Sequence, residues 1–173
     1  MVKLLETSPC AGLLPRHIGQ TALSERPQGP MWSVAPFAGQ KLAVARALQK
    51  IGLTFPEPGQ VVQSGVPSVV WFGIDQAMVF DVAALPKLAA AVTDQSDGWS
   101  CVRVEGRALE VLVRLVPVDL RKQSGALRSM IGHMSAIIIV RDEDVIDVMV
   151  MRAMAQTLVH ELEVAATGVA ARG

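Results

Sequence analysis

The chain has 173 residues with sixteen basic and sixteen acidic side chains, so its formal net charge at neutral pH is zero. This balance excludes binding to a nucleic-acid backbone over the whole surface, which needs a basic excess or a clustered basic face. The sequence is 51% hydrophobic and 18% charged, which is apolar for a globular protein. Two interpretations follow. Either part of the surface is buried against a partner chain, or small alanine and valine residues raise the hydrophobic percentage.

The first 30 residues are rich in proline and glycine and predict an irregular N-terminal arm with one strand near residues 17–23. The start of the chain lacks the continuous apolar segment of a signal peptide. No stretch approaches the roughly 20 apolar residues of a membrane helix. Cys10 and Cys101 match no zinc spacing and are too few for a disulfide framework. We therefore expect free thiols in a soluble, cytoplasmic protein that binds no membrane.

From residue 31 the pattern becomes regular and predicts a first unit at about residues 31–95. Its predicted elements are, in order, a strand (31–37), a helix (38–52), a proline-rich loop (53–67), two strands of a hairpin joined at 73–76 (68–72 and 77–82) and a short helix (85–95). The first helix has one apolar face, at Leu42, Ala45, Leu48 and Ile51. Pro86 stands in the first turn of the short helix, where its missing N–H does no harm.

A second unit, at about residues 98–167, repeats this order. Its predicted elements are a strand (99–105), a helix ended by Pro117 (106–115), a short strand (127–130), two strands of a hairpin (135–140 and 145–151) and a helix with Gly168 just past its end (152–167). Gly39 and Gly106 are each followed at the same spacing by two leucines. The sequence therefore predicts an α+β domain over 31–173, built from two similar strand-helix-hairpin-helix units.

The three histidines do not suggest a metal or catalytic site. His160 falls on the polar face of the last helix, His133 follows Gly132 at a predicted turn, and His17 lies in the arm. Zinc needs three or four ligands in a recognisable arrangement. We expect a solvated side chain at His160, a structural or interfacial role for His133, and no metal site.

The acidic residues near the C-terminal hairpin fall into two groups. Asp142, Glu143 and Asp144 lie in the predicted turn and indicate a solvated loop. Asp147 interrupts an apolar strand, so burial would require a partner. Arg128 or Arg152 is the expected partner, in a structural ion pair or at a contact with another chain.

The remaining side chains form no catalytic or cofactor-binding constellation in the sequence. The glycines match neither the Rossmann nor the Walker spacing, no serine lies in a nucleophile elbow, and tyrosine is absent. Five methionines of the second unit predict core filling, with an adaptable partner-binding surface as the alternative: Met130, Met134, Met149, Met151 and Met154. We therefore expect no catalytic, cofactor-binding or metal-binding residues in this chain.

Several segments, in order, resemble the gamma subunit of heterotetrameric sarcosine oxidase. They cover the chain from Ser8 to Leu162 and read "SPCAGLLP", "WSVAPFAGQ", "PEPGQ", "VVWFGIDQ", "DQSDGW", "VEGRALEVLVRLVPVDLR", "RSMIGHMSAIIIV" and "VMVMRAMAQTLVHEL". The resemblance implies a subunit of a complex that oxidatively demethylates sarcosine to glycine, passes the one-carbon unit to tetrahydrofolate and reduces oxygen to hydrogen peroxide. It also implies that FAD, FMN, NAD and zinc belong to the alpha, beta and delta subunits, which would be the partners of this chain.

The same resemblance implies a fold like the folate-binding domain of the glycine-cleavage aminomethyltransferase, a duplicated α+β unit. A stand-alone folate-binding one-carbon protein of that fold is therefore the alternative function, and a structural domain that forms homodimers through exposed strands is a further one. The candidates for partner contact are the arginines, tryptophans and histidine that favour interface positions: Trp32, Trp71, Arg128, His133 and Arg152.

Overall fold

A computed structural model describes residues 7–27 and 29–173. These residues form an α+β protein with two antiparallel sheets, which confirms the predicted fold class. The strands are, in chain order, β1 (Arg16–Ile18), β2 (Thr21–Glu25), β3 (Met31–Pro36), β4 (Val61–Gln63), β5 (Ser68–Gly73), β6 (Gln76–Phe80), β7 (Ala90–Asp94), β8 (Trp99–Glu105), β9 (Gly125–Ile131), β10 (Met134–Asp142) and β11 (Val145–Met151). The helices are α1 (Lys41–Leu48), α2 (Ala108–Leu112) and α3 (Ala155–Ala170). None of these helices has the length and apolar character needed to cross a membrane.

The two sheets repeat one strand order. The five-stranded sheet is ordered β4-β5-β6-β3-β7, and the six-stranded sheet is ordered β9-β10-β11-β8-β2-β1. In each unit a strand and a helix are followed by three consecutive strands, the last of which pairs with the first strand of the unit. This topology supports the duplication inferred from the sequence. The limits of the two halves, at about 31–95 and 98–167, stay predictions.

The sheets and helices pack in four layers. The inner faces of the two sheets meet through a buried cluster that includes Met78 and Phe80 from one sheet and Ile137 and Met149 from the other. The outer face of the five-stranded sheet packs against α1, and that of the six-stranded sheet against α2 and α3. Successive side chains of a strand point to opposite faces, so the apolar run in β10 fills two cores, with Ile138 in the outer one.

The short helix predicted over residues 85–95 is wrong. The chain forms β7 there, paired antiparallel with β3 at the edge of the five-stranded sheet, with Ala90 opposite Pro36. Alanine and leucine favour helix by local propensity, but such preferences are small and tertiary pairing overrides them. The open edge of β3 provides the backbone partners that decide the outcome.

The N-terminal arm, predicted as irregular with one strand, is ordered over residues 16–25. β1 and β2 form a hairpin, and β2 pairs with β8 at the edge of the six-stranded sheet. Gly19 has a φ of 58° in the two-residue turn, a conformation that glycine adopts without strain. Leu23 is fully buried and fixes the hairpin to the core. Residues 1–6 of the arm, and residue 28, lie outside the described residues.

Three smaller predictions are also corrected. The proline-rich loop contains β4, which pairs with β5. Gly168 lies inside α3 and not beyond it, because the helix continues to Ala170 and Val169 packs in the core. On α1 the buried residues are Val44 and Leu48, one turn apart, whereas Leu42 is 73% exposed.

Candidate functional site

The two tryptophans predicted as partner contacts lie in strands of the five-stranded sheet, whereas the other three candidates lie in or next to strands of the six-stranded sheet. Trp32 in β3 and Trp71 in β5 are both half-buried. Trp32 packs against the core beside α1, and its indole N–H donates a hydrogen bond to the carbonyl of Val82 at 2.7 Å. Trp71 is paired with Ala77, which belongs to the same core, so it faces the same outer side.

The other three candidates lie near one end of the six-stranded sheet. His133 is exposed in the turn between β9 and β10, as predicted. Arg128 is exposed on β9, with its guanidinium 5.4 Å from the centre of the Phe72 ring. Arg152 follows β11, and its guanidinium donates a hydrogen bond to the backbone carbonyl of Thr7. The contact roles of all five candidates stay predictions.

Asp147 is fully buried at the centre of an arginine cluster. Arg103 forms two hydrogen bonds to its carboxylate, at 2.7 and 3.0 Å. Arg141 and Arg26 complete the cluster, at 3.1 and 3.5 Å. The predicted ion pair therefore exists, but the predicted partners Arg128 and Arg152 are wrong.

Strand register explains this choice of partner. Arg103 in β8 is directly opposite Asp147 in β11, so their side chains leave the same face of the sheet next to one another. Arg128 in β9 is separated from β11 by β10. The alternation in "WSCVRVE" indicated which residues of β8 share a face with Arg103, but the pairing of β8 with β11 was not accessible to local patterns.

The arginine cluster suppresses acid–base chemistry at Asp147. Burial alone would raise the pKa of its carboxyl, but the hydrogen bonds and charge of Arg103, followed by the charges of Arg141 and Arg26, hold the pKa below its ordinary value. A carboxylate with these contacts remains ionised and has its lone pairs occupied. The cluster therefore fixes β8, β10, β11 and the residue that follows β2 to one another instead of transferring protons.

Neither cysteine is poised as a nucleophile. Both are unpaired, as predicted, and both are buried. Burial raises the pKa of Cys10, whose sulfur lies 3.3 Å from the hydroxyl oxygen of Ser100. Burial, together with the charge of Asp147, raises the pKa of Cys101 to about 12. Since the thiolate is the reactive form, both side chains act as small core residues.

A cavity of 280 Å³ adjoins Cys101. It is lined in part by Glu25, Arg26, Trp99, Cys101 and Arg152. Asp97 also contributes to the lining. The two acids, Glu25 and Asp97, balance the two arginines, so the described wall has no net charge. It therefore does not select an anionic ligand by charge.

The described residues contain no group of three or more histidine, cysteine or acidic side chains placed to hold a metal ion. His160 is exposed on α3, as predicted. The acids at 142–144 are also exposed, as predicted, with Asp142 at the end of β10 and the other two in the turn before β11. The methionines divide between core and surface. Met134 and Met149 are buried, whereas Met130, Met151 and Met154 are 43, 61 and 44% exposed. Core filling is therefore wrong for the last three.

Comparison with known proteins identifies a likeness of fold. No family model matches the chain, and no curated protein matches it by sequence. Among solved structures, a chain of the heterotetrameric sarcosine oxidase from Corynebacterium sp. U-96, in complex with pyrrole 2-carboxylate, superimposes with a TM-score of 0.78 at 20% identity, over 96% of this chain and 97% of that one. The regulatory subunit of aspartate kinase from Thermus thermophilus matches with a TM-score of 0.39 at 16% identity, over 86% of this chain and 99% of that one, and this likeness carries no argument. The chain therefore shares its fold, along almost its entire length, with a chain of a heterotetrameric sarcosine oxidase.

Proposed function

We propose that the chain is the gamma subunit of a heterotetrameric sarcosine oxidase and has no activity of its own. In this proposal the complex demethylates sarcosine oxidatively to glycine, with tetrahydrofolate as one-carbon acceptor and oxygen as oxidant. The observation that carries the proposal is the fold match over 96% of this chain and 97% of the matched chain. A match so complete in both directions relates this chain to one whole subunit, and the ordered segments of the sequence resemblance favour the gamma subunit.

The arrangement of polar side chains supports a non-catalytic role. Asp147 is held by arginines, the two thiols are buried, and the described residues include no metal-binding group. We assign FAD, FMN, NAD and zinc to the alpha, beta and delta subunits, which are the proposed partners. This chain would contribute a rigid scaffold and a contact surface.

Co-expression tests the proposal directly. The chain is produced with the alpha, beta and delta subunits of a sarcosine oxidase, one of them tagged, and the purified material is analysed for subunit ratio and sarcosine-dependent peroxide production. We expect this chain to co-purify in stoichiometric amount. If it stays monomeric while the other subunits assemble and turn over sarcosine normally, the proposal is refuted.

The alternative, a stand-alone folate-binding protein, would need a ligand cavity, and the described residues line one of 280 Å³ beside Trp99 and a more open one of 580 Å³ that shares Arg152 with it. Small-ligand sites typically measure about 300–1,000 Å³, so volume does not decide between the two functions and binding has to be measured. We expect titration calorimetry of the purified chain with tetrahydrofolate to show no binding at micromolar concentrations. A stoichiometric isotherm would favour the alternative.

A further inference from the structure

We propose that five residues, four on the six-stranded sheet and Phe72 on the facing strand β5, dock an apolar segment that carries a carboxylate and belongs to a different subunit of the complex. These residues, which we term the Met–Arg surface, are Phe72, Trp99, Arg128, Met130 and Met151. The inference rests on the proposed function, since it requires a partner chain, and it goes further by assigning the surface and the chemistry of what binds there.

The Met–Arg surface is continuous. Met151 is paired with Trp99 across β11 and β8, and the Trp99 ring contacts the Phe72 ring edge-on at 5.6 Å between centroids. Phe72 lies under the Arg128 guanidinium at 5.4 Å. Met130 follows two residues later on the same face of β9. The five side chains therefore form one patch and not five separate exposures.

The patch extends the buried face of the sheet into solvent. Met149 and Ile137 lie on this face beneath the five-stranded sheet and are buried. One step further along the strands, Met151 is 61% and Met130 43% exposed. An apolar sheet face left open beside its own core is typical of an interaction site. Aromatic residues, methionine and arginine are also the types enriched at the centres of interfaces.

Arg128 specifies the charge of the partner. Its guanidinium lies over Phe72, and its Nε lies 3.4 Å from the hydroxyl oxygen of Ser135. Within residues 7–27 and 29–173, no carboxylate forms an ion pair with Arg128. A carboxylate brought by a partner would bind this planar group with two hydrogen bonds. Complementary charge of this kind fixes the register of an interface.

A neighbouring cavity of mixed polar and apolar lining gives the partner a place for one anchoring side chain. Phe72 also lines a cavity of 220 Å³, with Met78 on its apolar side and Gln76 and Gln95 on its polar side. Gln95 is joined to the surface, because its side-chain oxygen accepts a hydrogen bond from the indole N–H of Trp99 at 3.2 Å. Well-packed anchors of this type dominate binding energy in protein interfaces.

A second copy of this chain fits the surface less well. In a two-fold symmetric dimer the same patch meets itself. The five residues of the Met–Arg surface include an arginine but no carboxylate, so self-association centred on this patch would bring like charges together. The charge therefore favours a different chain.

A competition experiment tests the surface. Wild-type chain and a variant, distinguished by tag length, are co-expressed with tagged partner subunits, and their incorporation ratio is measured. We expect Arg128→Glu to lower incorporation by about 30-fold or more and Met151→Ser by at least about fivefold. The matched controls are Arg46→Glu and Leu42→Ser, at exposed positions of α1, which packs on the outer face of the five-stranded sheet. We expect the incorporation ratio of each control to wild type to stay near one.

The outcomes separate the two proposals. If the wild-type chain is not incorporated, the proposed function fails. If it is incorporated and both Met–Arg variants compete equally with it, the surface assignment alone fails. Light scattering of the isolated wild-type chain gives a further check. If the wild-type chain is a dimer, and Arg128→Glu makes it monomeric without lowering incorporation, the surface serves self-association and the inference is overturned. Circular dichroism establishes that each variant is folded, as expected for substitutions at exposed positions.

Discussion

Replacing Asp147 by asparagine tests the arginine cluster. The substitution keeps the size of the side chain but removes the charge that three guanidinium groups share. Asparagine also offers a single acceptor oxygen, so the two hydrogen bonds from Arg103, at 2.7 and 3.0 Å, cannot both be kept. Arg26, Arg103 and Arg141 each lose their ion pair with the carboxylate at position 147.

The expected loss follows from the burial of each member. Removing one partner of a buried ion pair costs about 3–5 kcal/mol. Asp147 is fully buried, but the side chains of Arg26, Arg103 and Arg141 are 25, 31 and 21% exposed. Water therefore offsets part of the lost attraction, and we expect about 3 kcal/mol, near the lower limit. For a chain of this size, such a loss lowers Tm by about 6–12 °C.

Urea denaturation followed by circular dichroism measures this change in the free energy of unfolding. Asp144→Asn is the matched control, because it makes the same chemical change in the same hairpin at an exposed position, where we expect less than about 0.5 kcal/mol. A stability of Asp147→Asn within about 0.5 kcal/mol of wild type would refute the reasoning.

The ion pair also predicts a pH dependence. The folded-state pKa of Asp147 is lowered, so its contribution is fully present above the unfolded-state pKa of about 3.9 and is lost as the pH falls through the folded-state pKa. The stability difference between wild type and Asp147→Asn should therefore be constant from about pH 5 to 7 and shrink below about pH 4. A difference that instead shrinks between pH 5 and 7 contradicts the assignment.

Three further predictions concern packing. Cys101, with a pKa of about 12, should resist labelling by a thiol reagent at pH 8 until the protein unfolds; rapid labelling of the native state would contradict its burial. Gly106→Ala should destabilise the protein by more than about 2 kcal/mol, because a Cβ there would lie 2.0 Å from a backbone oxygen of the β1–β2 turn. Gly132→Ala is its control: it also has positive φ but has open space around the Cβ, and we expect only about 1 kcal/mol. Leu48→Ala should lower the free energy of unfolding, measured by heat or urea, by about 2–5 kcal/mol, whereas Leu42→Ala should change it by less than about 0.5 kcal/mol. Equal losses would show that the buried face of α1 is assigned incorrectly.

The sequence by itself determined the elements whose signals are local. The two hairpins, β5–β6 and β10–β11, follow from alternating apolar residues around short polar turns, and β3, β8, α1 and α3 follow from their periodicity. The expectation of no catalytic, cofactor-binding or metal-binding residues rests on residue types and their spacing, and it stays a prediction. The doubled order of elements indicated the repeat that the sheet topology supports.

The tertiary structure alone decided which strands pair and which faces remain open. Residues 90–94 became β7 because the edge of β3 was available, and Asp147 received Arg103 because β8 pairs with β11. Met130 and Met151 are chemically identical to the buried Met149, yet they lie where the covering sheet ends. The same physical reason applies to β7, to the partner of Asp147 and to the exposed methionines. Local periodicity reports which side chains share a face of one element, whereas burial and charge pairing depend on neighbours brought together from distant parts of the chain.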